Sequence, residues 1–343
     1  MAYTTIKKST DYFNTKLWTG TGSSNALTGV GFQPDWTWIK NRTDANSHVL
    51  QDAVRGVGNT IISNNTDAQS AEGAGDLTAF GSDGFTVGTN GRVNGSGKSI
   101  VAWNWLGANG TASNTDGSIT STVSANTTSG FSIVSYTGTG ANATVGHGLG
   151  SAPTMIIVKN LNSTNDWNIG HPALGWDKRL FFNTNPESSG ASWNSTAPTS
   201  SVFSIGTAGA TNTSSNTHVA YCFAEVKGFS KIGSYVGNGS TDGTFVYTGF
   251  KPAFVIMKRS TTGDTASWYT YDNKRDSFNT MTKNVFPNLN NAENDDANNN
   301  LDFLSNGFKI RTASGGRNGS GITYIYMAFA EEPLVGDNPA TAR

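Results

Sequence analysis

Three short apolar runs recur along the chain with the same order of hydrophobic and polar positions. Residues 34–40, 153–159 and 252–258 each begin with proline, continue with five mostly apolar residues and end with lysine. A glycine-rich turn precedes each run, and a second apolar run closes each repeat. The closing runs lie at residues 100–105, 219–224 and 324–330. Because an internal repeat constrains the architecture before any other signal, this pattern predicts three related modules in tandem.

The residue types in these runs favour strands over helices. Ile156, Ile157 and Val158 are β-branched and follow a proline, which strands accept only at their start or on an edge. In residues 324–329 both alternating faces are apolar, which indicates a central strand covered on both sides. The centre of each repeat is polar, as in residues 287–302, and predicts long loops. We therefore expect an all-β protein.

The repeat also suggests where the modules begin and end. In the segment between the first two modules, Ile119, Ser121 and Val123 alternate weakly and predict a short edge strand. Only Lys227 and Gly228 separate the second and third modules, so we expect these two to pack rigidly. The predicted division is a polar arm at 1–15, module one at 16–106, a Gly/Ser/Thr/Asn linker at 107–129, module two at 130–226, module three at 229–333 and a polar tail at 334–343.

Composition narrows the classes of partner. Charged residues make up 14% of the chain and the net charge is -1, so the positive footprint of a nucleic-acid-binding protein is missing. The sequence has no apolar run near the roughly 20 residues of a membrane span. Its N-terminus lacks the apolar core of a secretion signal, so we expect synthesis in the cytoplasm and no membrane insertion. The single cysteine, Cys222, lies in an apolar run and is interpreted as a small buried hydrophobe.

The lysine at the end of each apolar run has two interpretations. Lys40, Lys159 and Lys258 could each present a charge to a ligand, or each could prevent the strand from pairing at a sheet edge. We favour the structural interpretation, because a residue repeated in three modules more often serves the shared fold. A different signal, residues 91–99, has some features of a phosphate-binding loop. Arg92 stands where that loop requires glycine and a strand follows, so nucleotide binding is not expected.

The sequence predicts no catalytic residues, no metal site and no cofactor. Glu293, Asp295 and Asp296 form the densest acidic group, but they lie among asparagines in a segment expected to be a solvated loop. The glycine and the terminal glutamate of a calcium-binding EF-hand loop are missing there. The four histidines have no zinc-ligand spacing. An exposed polar loop, or at most a weak cation site, is the interpretation that remains.

An aromatic and polar signature in the module centres is the best candidate for ligand binding. An exposed aromatic ring flanked by Asp, Asn and Arg offers a sugar both a flat face and hydrogen-bonding groups. The alternative is that the aromatic rings cover the core, while Asp52 with Arg55 and Asp272 with Arg275, which share one spacing, form structural pairs. The candidate ligand-binding residues are Trp167, His171, Trp176, Arg179, Trp268 and Tyr271.

Residues 1–13, 31–42 and 146–153 together resemble a repeat family of tailed bacteriophages, particularly marine ones, that occurs in tail-fibre-like virion proteins. The resemblance covers essentially the whole chain. It implies lectin-like or jelly-roll β-sandwich modules displayed at the virion surface, and it carries over no catalytic residue. The chain lacks the coiled-coil or collagen-like shaft of a typical long tail fibre. This difference favours a short appendage on the capsid or tail over a long fibre.

On this resemblance we expect a non-enzymatic virion surface protein that attaches the phage to a host glycan or protein. The N-terminal arm would bind other virion proteins through Tyr3, Ile6, Tyr12 and Phe13, and the appendage would form a homotrimer. A capsid-decorating or cementing protein is the alternative. A polysaccharide-depolymerising tailspike is less favoured, because its β-helix rungs repeat about every twenty to thirty residues, whereas the repeat here is about one hundred residues.

Overall fold

A computed structural model describes residues 4–183, 187–261 and 266–333 of the chain. The protein is mostly antiparallel β-sheet, with 42% strand and 7% helix, so the predicted all-β class is confirmed. Tyr3 and the predicted polar tail at 334–343 lie outside the described residues.

The strands are short and are numbered in chain order. The first part of the chain contains β1 (Phe13–Thr19), β2 (Asn25–Thr28), β3 (Trp36–Asn41), β4 (Val49–Asp52), β5 (Asn59–Ile62), β6 (Ser70–Ala71), β7 (Leu77–Gly81), β8 (Gly84–Val87) and β9 (Ser99–Trp105). The middle part contains β10 (Ala112–Asn114), β11 (Ser121–Asn126), β12 (Phe131–Thr137), β13 (Ala143–Gly146), β14 (Met155–Asn160), β15 (Asn168–Gly170), β16 (Lys178–Phe181), β17 (Glu187–Ser189), β18 (Val202–Ile205) and β19 (Thr217–Phe223). The last part contains β20 (Ser230–Val236), β21 (Phe245–Tyr247), β22 (Lys251–Arg259), β23 (Tyr269–Asp272), β24 (Lys283–Asn284), β25 (Asn294–Asp295), β26 (Leu301–Leu304), β27 (Gly307–Ile310) and β28 (Thr323–Glu332).

Helices in the described part of the chain are single turns. The α-helical turns are α1 (Gly91–Asn94), α2 (Gly209–Asn212) and α3 (Gly315–Asn318). The 3-10 turns are Ser9–Asp11, Pro172–Leu174 and Ala297–Asn299.

Three large sheets contain the same four-strand order. The first has the order β1-β9-β3-β4 and continues with β5 and β6. The second contains β12-β19-β14-β15, and the third is β20-β28-β22-β23. In each, the closing strand of the repeat pairs antiparallel with both the opening strand and the strand that follows the proline. The apolar runs seen in the sequence are therefore the central strands of the three sheets.

Alternate residues of these central strands face two different hydrophobic cores. In β14, Ile157 packs into a core shared by all three large sheets, whereas Ile156 and Val158 pack into a separate core of the second sheet. In β22, Ile256 packs into the shared core and Val255 packs into a separate core of the third sheet. This alternation follows from the two-residue period of a strand, and it explains why both faces of these strands are apolar.

Each large sheet has a second layer on its outer face. The small sheets are β2-β8-β7, β13-β18 and β21-β27-β26. Leu27 and Phe85 of the first small sheet share a buried cluster with Ile39 and Ile100 of the first large sheet, and the other two pairs of sheets form equivalent clusters. The layers are therefore β-sandwich-like.

Aromatic rings connect every pair of large sheets through the shared core. Trp36 of the first sheet stacks on Tyr221 of the second at a centroid distance of 4.3 Å. Trp105 meets Phe254 of the third sheet edge-on at 5.9 Å, and Phe223 meets Phe329 at 6.1 Å. We call this shared cluster the central core. Its aromatic members are Phe13, Trp36, Trp38, Trp103, Trp105, Phe131, Trp167, Phe182, Tyr221, Phe223, Phe229, Phe254, Trp268 and Phe329.

The segment predicted as a linker forms strands on the second large sheet. β11 pairs with β12, and β10 extends the sheet at its edge. Ile119 also forms a parallel bridge to Val145 of β13, so this segment joins the two layers at one side. The weak alternation at Ile119, Ser121 and Val123 thus predicted strand structure here, and β11 includes the last two of these residues.

Candidate functional site

Three of the predicted ligand-binding aromatic residues are inside the protein. Trp167 and Trp268 are 0% exposed members of the central core, and Tyr271 is 0% exposed in the core of the third sheet. The indole N–H of Trp167 donates to the carbonyl of Ile62 at 2.8 Å, and that of Trp268 to the carbonyl of Phe181 at 3.0 Å. The expectation that these rings are exposed is wrong, because Trp167 and Trp268 fill the space between large sheets and Tyr271 packs between the third large sheet and its small sheet.

His171 is also buried, with 1% exposure. It precedes the 3-10 turn at Pro172–Leu174, and its Nδ1 accepts a hydrogen bond from the Ala173 N–H at 3.1 Å. Burial lowers the pKa of His171 to about 4. A neutral capping role accounts for this side chain, and the prediction that it contacts a surface ligand does not fit its position.

Trp176 and Arg179 remain partly exposed. The ring of Trp176 packs edge-on against Trp193 at 5.9 Å. Nη1 of Arg179 donates to the Ser192 hydroxyl at 2.7 Å, and the guanidinium lies 5.2 Å from the centroid of the Phe181 ring. Of the six candidates, these two keep surface that a ligand could contact.

Two buried ion pairs link neighbouring large sheets. Asp52 accepts from Nε of Arg55 at 2.6 Å and from the hydroxyl of Tyr221, in the second sheet, at 2.7 Å. Asp272 pairs with Arg275 and accepts from the indole N–H of Trp103, in the first sheet, at 3.0 Å. The shared Asp and Arg spacing therefore marks structural pairs, as the alternative interpretation of the sequence proposed.

A cleft of about 340 Å³ lies beside the first of these pairs and is lined by Arg55, Gln69, Leu161 and Thr217 among others. The Arg55 side chain donates hydrogen bonds to Gln69 and to four further acceptors inside the protein. Because this guanidinium has five N–H groups, it has none left for a ligand in the cleft.

The three repeated lysines are buried at 0% exposure, and they do not lie at sheet edges. Lys40, Lys159 and Lys258 are the penultimate residues of β3, β14 and β22, each of which has a neighbouring strand on both sides. The predicted role in preventing edge pairing is therefore wrong, although the choice of a structural role over a ligand agrees with their burial. The sequence signal for a central position in the sheet was that both faces of these strands are apolar.

Each buried lysine donates to backbone carbonyl oxygens. Nζ of Lys159 donates to the carbonyls of Asn165 at 3.1 Å and of Thr66, in a first-sheet connection, at 3.2 Å. Nζ of Lys40 donates to the carbonyl of Asn290, in a loop of the third part of the chain, at 3.2 Å. Burial lowers the pKa of both lysines to about 8, against the opposing charges of nearby carboxylates. These contacts join loops of different sheets.

Glu293 lies between two arginines rather than in a solvated loop. Its carboxylate contacts Arg42 at 2.7 Å and Arg275 at 2.9 Å, and its side chain is 11% exposed. Burial alone would raise the pKa of Glu293, but the hydrogen bonds and charges of the two arginines outweigh it and lower the pKa. Asp295 is exposed as expected, although it lies in β25 rather than in a loop, and the expectation of exposure is wrong for Glu293.

The N-terminal arm packs on its own chain. Ile6 is 0% exposed and Phe13 is 2% exposed, and both belong to the central core. The ring of Phe13 stacks on Phe329 at 4.9 Å, and Tyr12 is half-buried. Ile6 and Phe13 are therefore not available as anchors for another protein. Tyr3, the remaining predicted anchor, lies outside the described residues.

Cys222 is 0% exposed, as expected of a small buried hydrophobe. Burial raises the pKa of its thiol far above the usual value, which disfavours the reactive thiolate.

Three asparagines that the sequence interpretation missed hold equivalent turns. Oδ1 of Asn94 accepts from the Thr21 N–H at 2.9 Å, and its Nδ2 donates to the Gly88 carbonyl at 2.8 Å. Asn212 and Asn318 make the corresponding bonds in the second and third units. The signal was a glycine three positions before asparagine at the same place in each repeat. These glycines are Gly91, Gly209 and Gly315.

The third small sheet exposes an apolar edge. Phe245 and Tyr247 of β21 are 42% and 59% exposed, and Val236 at the end of β20 is 55% exposed. In each small sheet the next-to-last residue of the edge strand is buried and pairs with a phenylalanine, which aligns the three edges; these residues are Leu27, Val145 and Val246. The residues aligned with Phe245 and Tyr247 are Ala26 and Thr28 in β2 and Thr144 and Gly146 in β13.

These contacts define an all-β protein whose layered sheets share a central aromatic core. The chain belongs to the DUF7483 family, a domain of unknown function, whose model matches residues 8–333. Comparisons with curated proteins and with solved structures gave no significant match. Within the described ranges, no group of three or more His, Cys, Asp or Glu side chains is placed to hold a metal ion. In the same part of the chain, helices that combine the length and apolar character of a membrane span are absent.

Proposed function

We propose that the chain is a non-enzymatic surface protein of a bacteriophage virion, a tail-fibre-like appendage that attaches the particle to its host. The observation that carries this proposal is the central core, in which aromatic rings from all three large sheets contact one another. Such a core makes a rigid support whose outer layers can differ, which suits a protein that presents surfaces. The resemblance of residues 31–42 and 146–153 to phage appendage repeats supplies the virion context.

The three units are tandem copies of one β-sandwich module of jelly-roll or lectin-like type, with long polar loops. Support comes from the repeated strand order, the small sheet on each outer face and the single helical turn before each closing strand. Asn94, Asn212 and Asn318 hold that turn by the same hydrogen bonds. In this division the first module begins with β1 at Phe13, and the second includes β10 and β11 from the segment predicted as a linker.

A structural rather than catalytic role is supported by what the buried charged groups do. Asp52, Asp272 and Glu293 are bound to arginines. Lys40 and Lys159 are enclosed by carbonyl oxygens. Groups held in this way join sheets to one another and have no open face toward a substrate.

Host attachment through a surface glycan uses the partly exposed Trp176 and Arg179. The test is adsorption of labelled full-length protein to host cells, together with a glycan array. Trp176→Ala should weaken binding at least tenfold, because it removes the flat ring face, while Trp18→Ala in the first unit is the matched half-buried control. Wild-type protein that binds neither host cells nor any glycan would overturn the attachment role.

The alternative, a capsid-decorating or cementing protein, is favoured by one observation. Ile6 and Phe13 are buried in the chain's own core, so the arm does not extend toward a tail partner in the predicted way. Density for this chain on capsid capsomers would support decoration. Homotrimer formation stays a prediction from the resemblance.

A further inference from the structure

The second unit shows how an edge of this fold is covered by an added segment. The Ile119 N–H donates to the Thr144 carbonyl at 3.0 Å. The Ser118 N–H donates to the Thr144 hydroxyl at 2.9 Å, and the Thr144 N–H donates to the Ser118 hydroxyl at 2.9 Å. Ile119 lies parallel to Val145 and is buried in the core of this unit. The chain itself therefore shows that this edge accepts an extended segment.

The equivalent edge in the third unit is β21. Phe245 of β21 is equivalent to Thr144 of β13. Phe245 pairs with Lys309 of β27, as Thr144 pairs with Ser204 of β18. The Thr244 carbonyl accepts from the Ile310 N–H at 3.0 Å and so faces β27. Because hydrogen-bonding directions alternate along an antiparallel pair, the backbone N–H and carbonyl of Phe245 face away from the sheet. Within the described residues, β21 has a strand neighbour on one side only.

The side chains distinguish this edge from the one in the first unit. β2 is also an edge strand, but it carries Ala26 and Thr28, which give an incoming segment little apolar surface. β21 carries Phe245 and Tyr247, with Val236 close by, since the Thr244 hydroxyl donates to the Val236 carbonyl at 2.8 Å. An exposed apolar edge strand is a known template for strand addition.

The protein protects the other half of the same side. The Ile232 N–H in β20 donates to Oε1 of Glu225 at 2.9 Å, and Lys231 pairs with the same carboxylate at 2.8 Å. This contact occupies an outward backbone donor and places charge beside it. This contact disfavours pairing at Ile232, so an added segment is expected at the other end of this side, near Val236 and β21.

We propose that β21 receives an extended segment of a partner protein, which pairs with its outer edge as Ser118 and Ile119 pair with β13. The partner segment carries a hydroxyl residue followed by a β-branched apolar residue, and its neighbouring side chains cover Phe245 and Tyr247. This inference rests on the edge geometry and is independent of where the protein resides. Strand addition of this kind takes its affinity from main-chain hydrogen bonds and its specificity from alternate side chains.

The test uses a fluorescent peptide of residues 112–126 as a probe of the full-length protein. Fluorescence anisotropy measures affinity, and hydrogen–deuterium exchange locates the bound peptide. We expect protection of amides in residues 244–248. The double substitution Phe245→Ala with Tyr247→Thr, which installs the aligned residues of the first-unit edge, should weaken binding at least tenfold. Tyr247→Pro should also weaken peptide binding at least tenfold, because it removes an N–H that faces away from the sheet. Edge strands accept proline at such positions, so the variant is expected to fold.

Ala26→Pro is the matched control on the first-unit edge and should leave the peptide affinity unchanged. Thermal unfolding of each variant confirms that it is folded. Absence of peptide binding would overturn the proposal, as would protection confined to residues 143–146 or equal affinity in all variants. Loss of glycan binding in the double variant without protection of β21 by the peptide would also overturn it and identify the surface as a carbohydrate site.

Discussion

Buried polar side chains fix how the three large sheets meet. Lys159, Trp167 and Trp268 each donate to a carbonyl of another unit, at sequence separations of 93, 105 and 87 residues. An unpaired buried carbonyl costs free energy, so each bond holds its loop in place. The sequence could not reveal these partners, because polar neighbours make the same residues look exposed and the acceptors are backbone atoms far along the chain.

Lys159→Met tests the role of the buried lysines. The substitution leaves carbonyl acceptors unpaired in a dry environment, so we expect the free energy of unfolding to fall by about 2–4 kcal/mol. Urea denaturation measures this change. Lys98→Met is the control, because Lys98 forms an exposed pair with Asp44, and it should cost less than about 1 kcal/mol. Unchanged or increased stability of Lys159→Met would contradict this role.

Stability should decrease as the pH falls below about 6.5, the ordinary histidine pKa in an unfolded chain. Burial lowers the pKa of His171 and His218 to about 4, so the unfolded state binds more protons between these values. Each of the two should contribute a loss of about 2 kcal/mol between pH 7 and pH 5. Urea unfolding at both pH values measures it. His171→Asn keeps a capping acceptor and should remove one such contribution, and an unaltered pH dependence would refute the assignment.

At the scale of elements, both-sided apolar character predicted the central strands correctly. Residues 324–329 lie in β28, which has β20 and β22 as neighbours and faces two cores. The apolar residues on both faces of the run that ends in Lys40 would by the same reasoning have placed this lysine inside a sheet. Its role was instead inferred from the usual occurrence of lysine on sheet edges. The single-turn helices have no period to detect. Gly20 packs directly against the end of the first of these turns. A Cβ at this position would lie 2.1 Å from the Gly95 carbonyl oxygen, so only glycine fits there.

Asn94→Asp tests the turn that each unit repeats. The amide Nδ2 donates to carbonyl oxygens, and a carboxylate oxygen in its place would face those carbonyls without a proton to share. We expect a loss of about 2–4 kcal/mol in unfolding free energy, measured by chemical denaturation. Asn25→Asp, at a half-buried position, is the control and should change stability by less than about 0.5 kcal/mol. Equal effects of the two substitutions would show that the turn does not depend on this amide.

At the scale of the whole molecule, the sequence predicted the repeat but did not predict the core that the three large sheets share. Periodicity and proline positions predicted three related units, but the contacts of the central core join residues of different repeats. Trp36 illustrates this, because its short sequence context indicates only a strand, whereas its ring contacts Tyr221, Phe131 and Phe223 of the second sheet. Trp167 and Trp268, two of the three predicted ligand-binding tryptophans, belong to the same central core.

Trp36→Leu should destabilise all three units together. The substitution removes ring contacts between two large sheets and leaves a cavity, so we expect a loss of about 3 kcal/mol. Differential scanning calorimetry should show a single transition at a lower temperature. Two or three separate transitions, with only the first shifted, would contradict a common core.

The most direct test of the virion assignment is cryo-electron microscopy of the intact phage particle that encodes this chain. We predict density on the outside of the particle that fits three layered sheets around the central core, at the tail, with Trp176 and Arg179 facing outward. Purified, infectious particles that contain no copy of the chain would contradict the account.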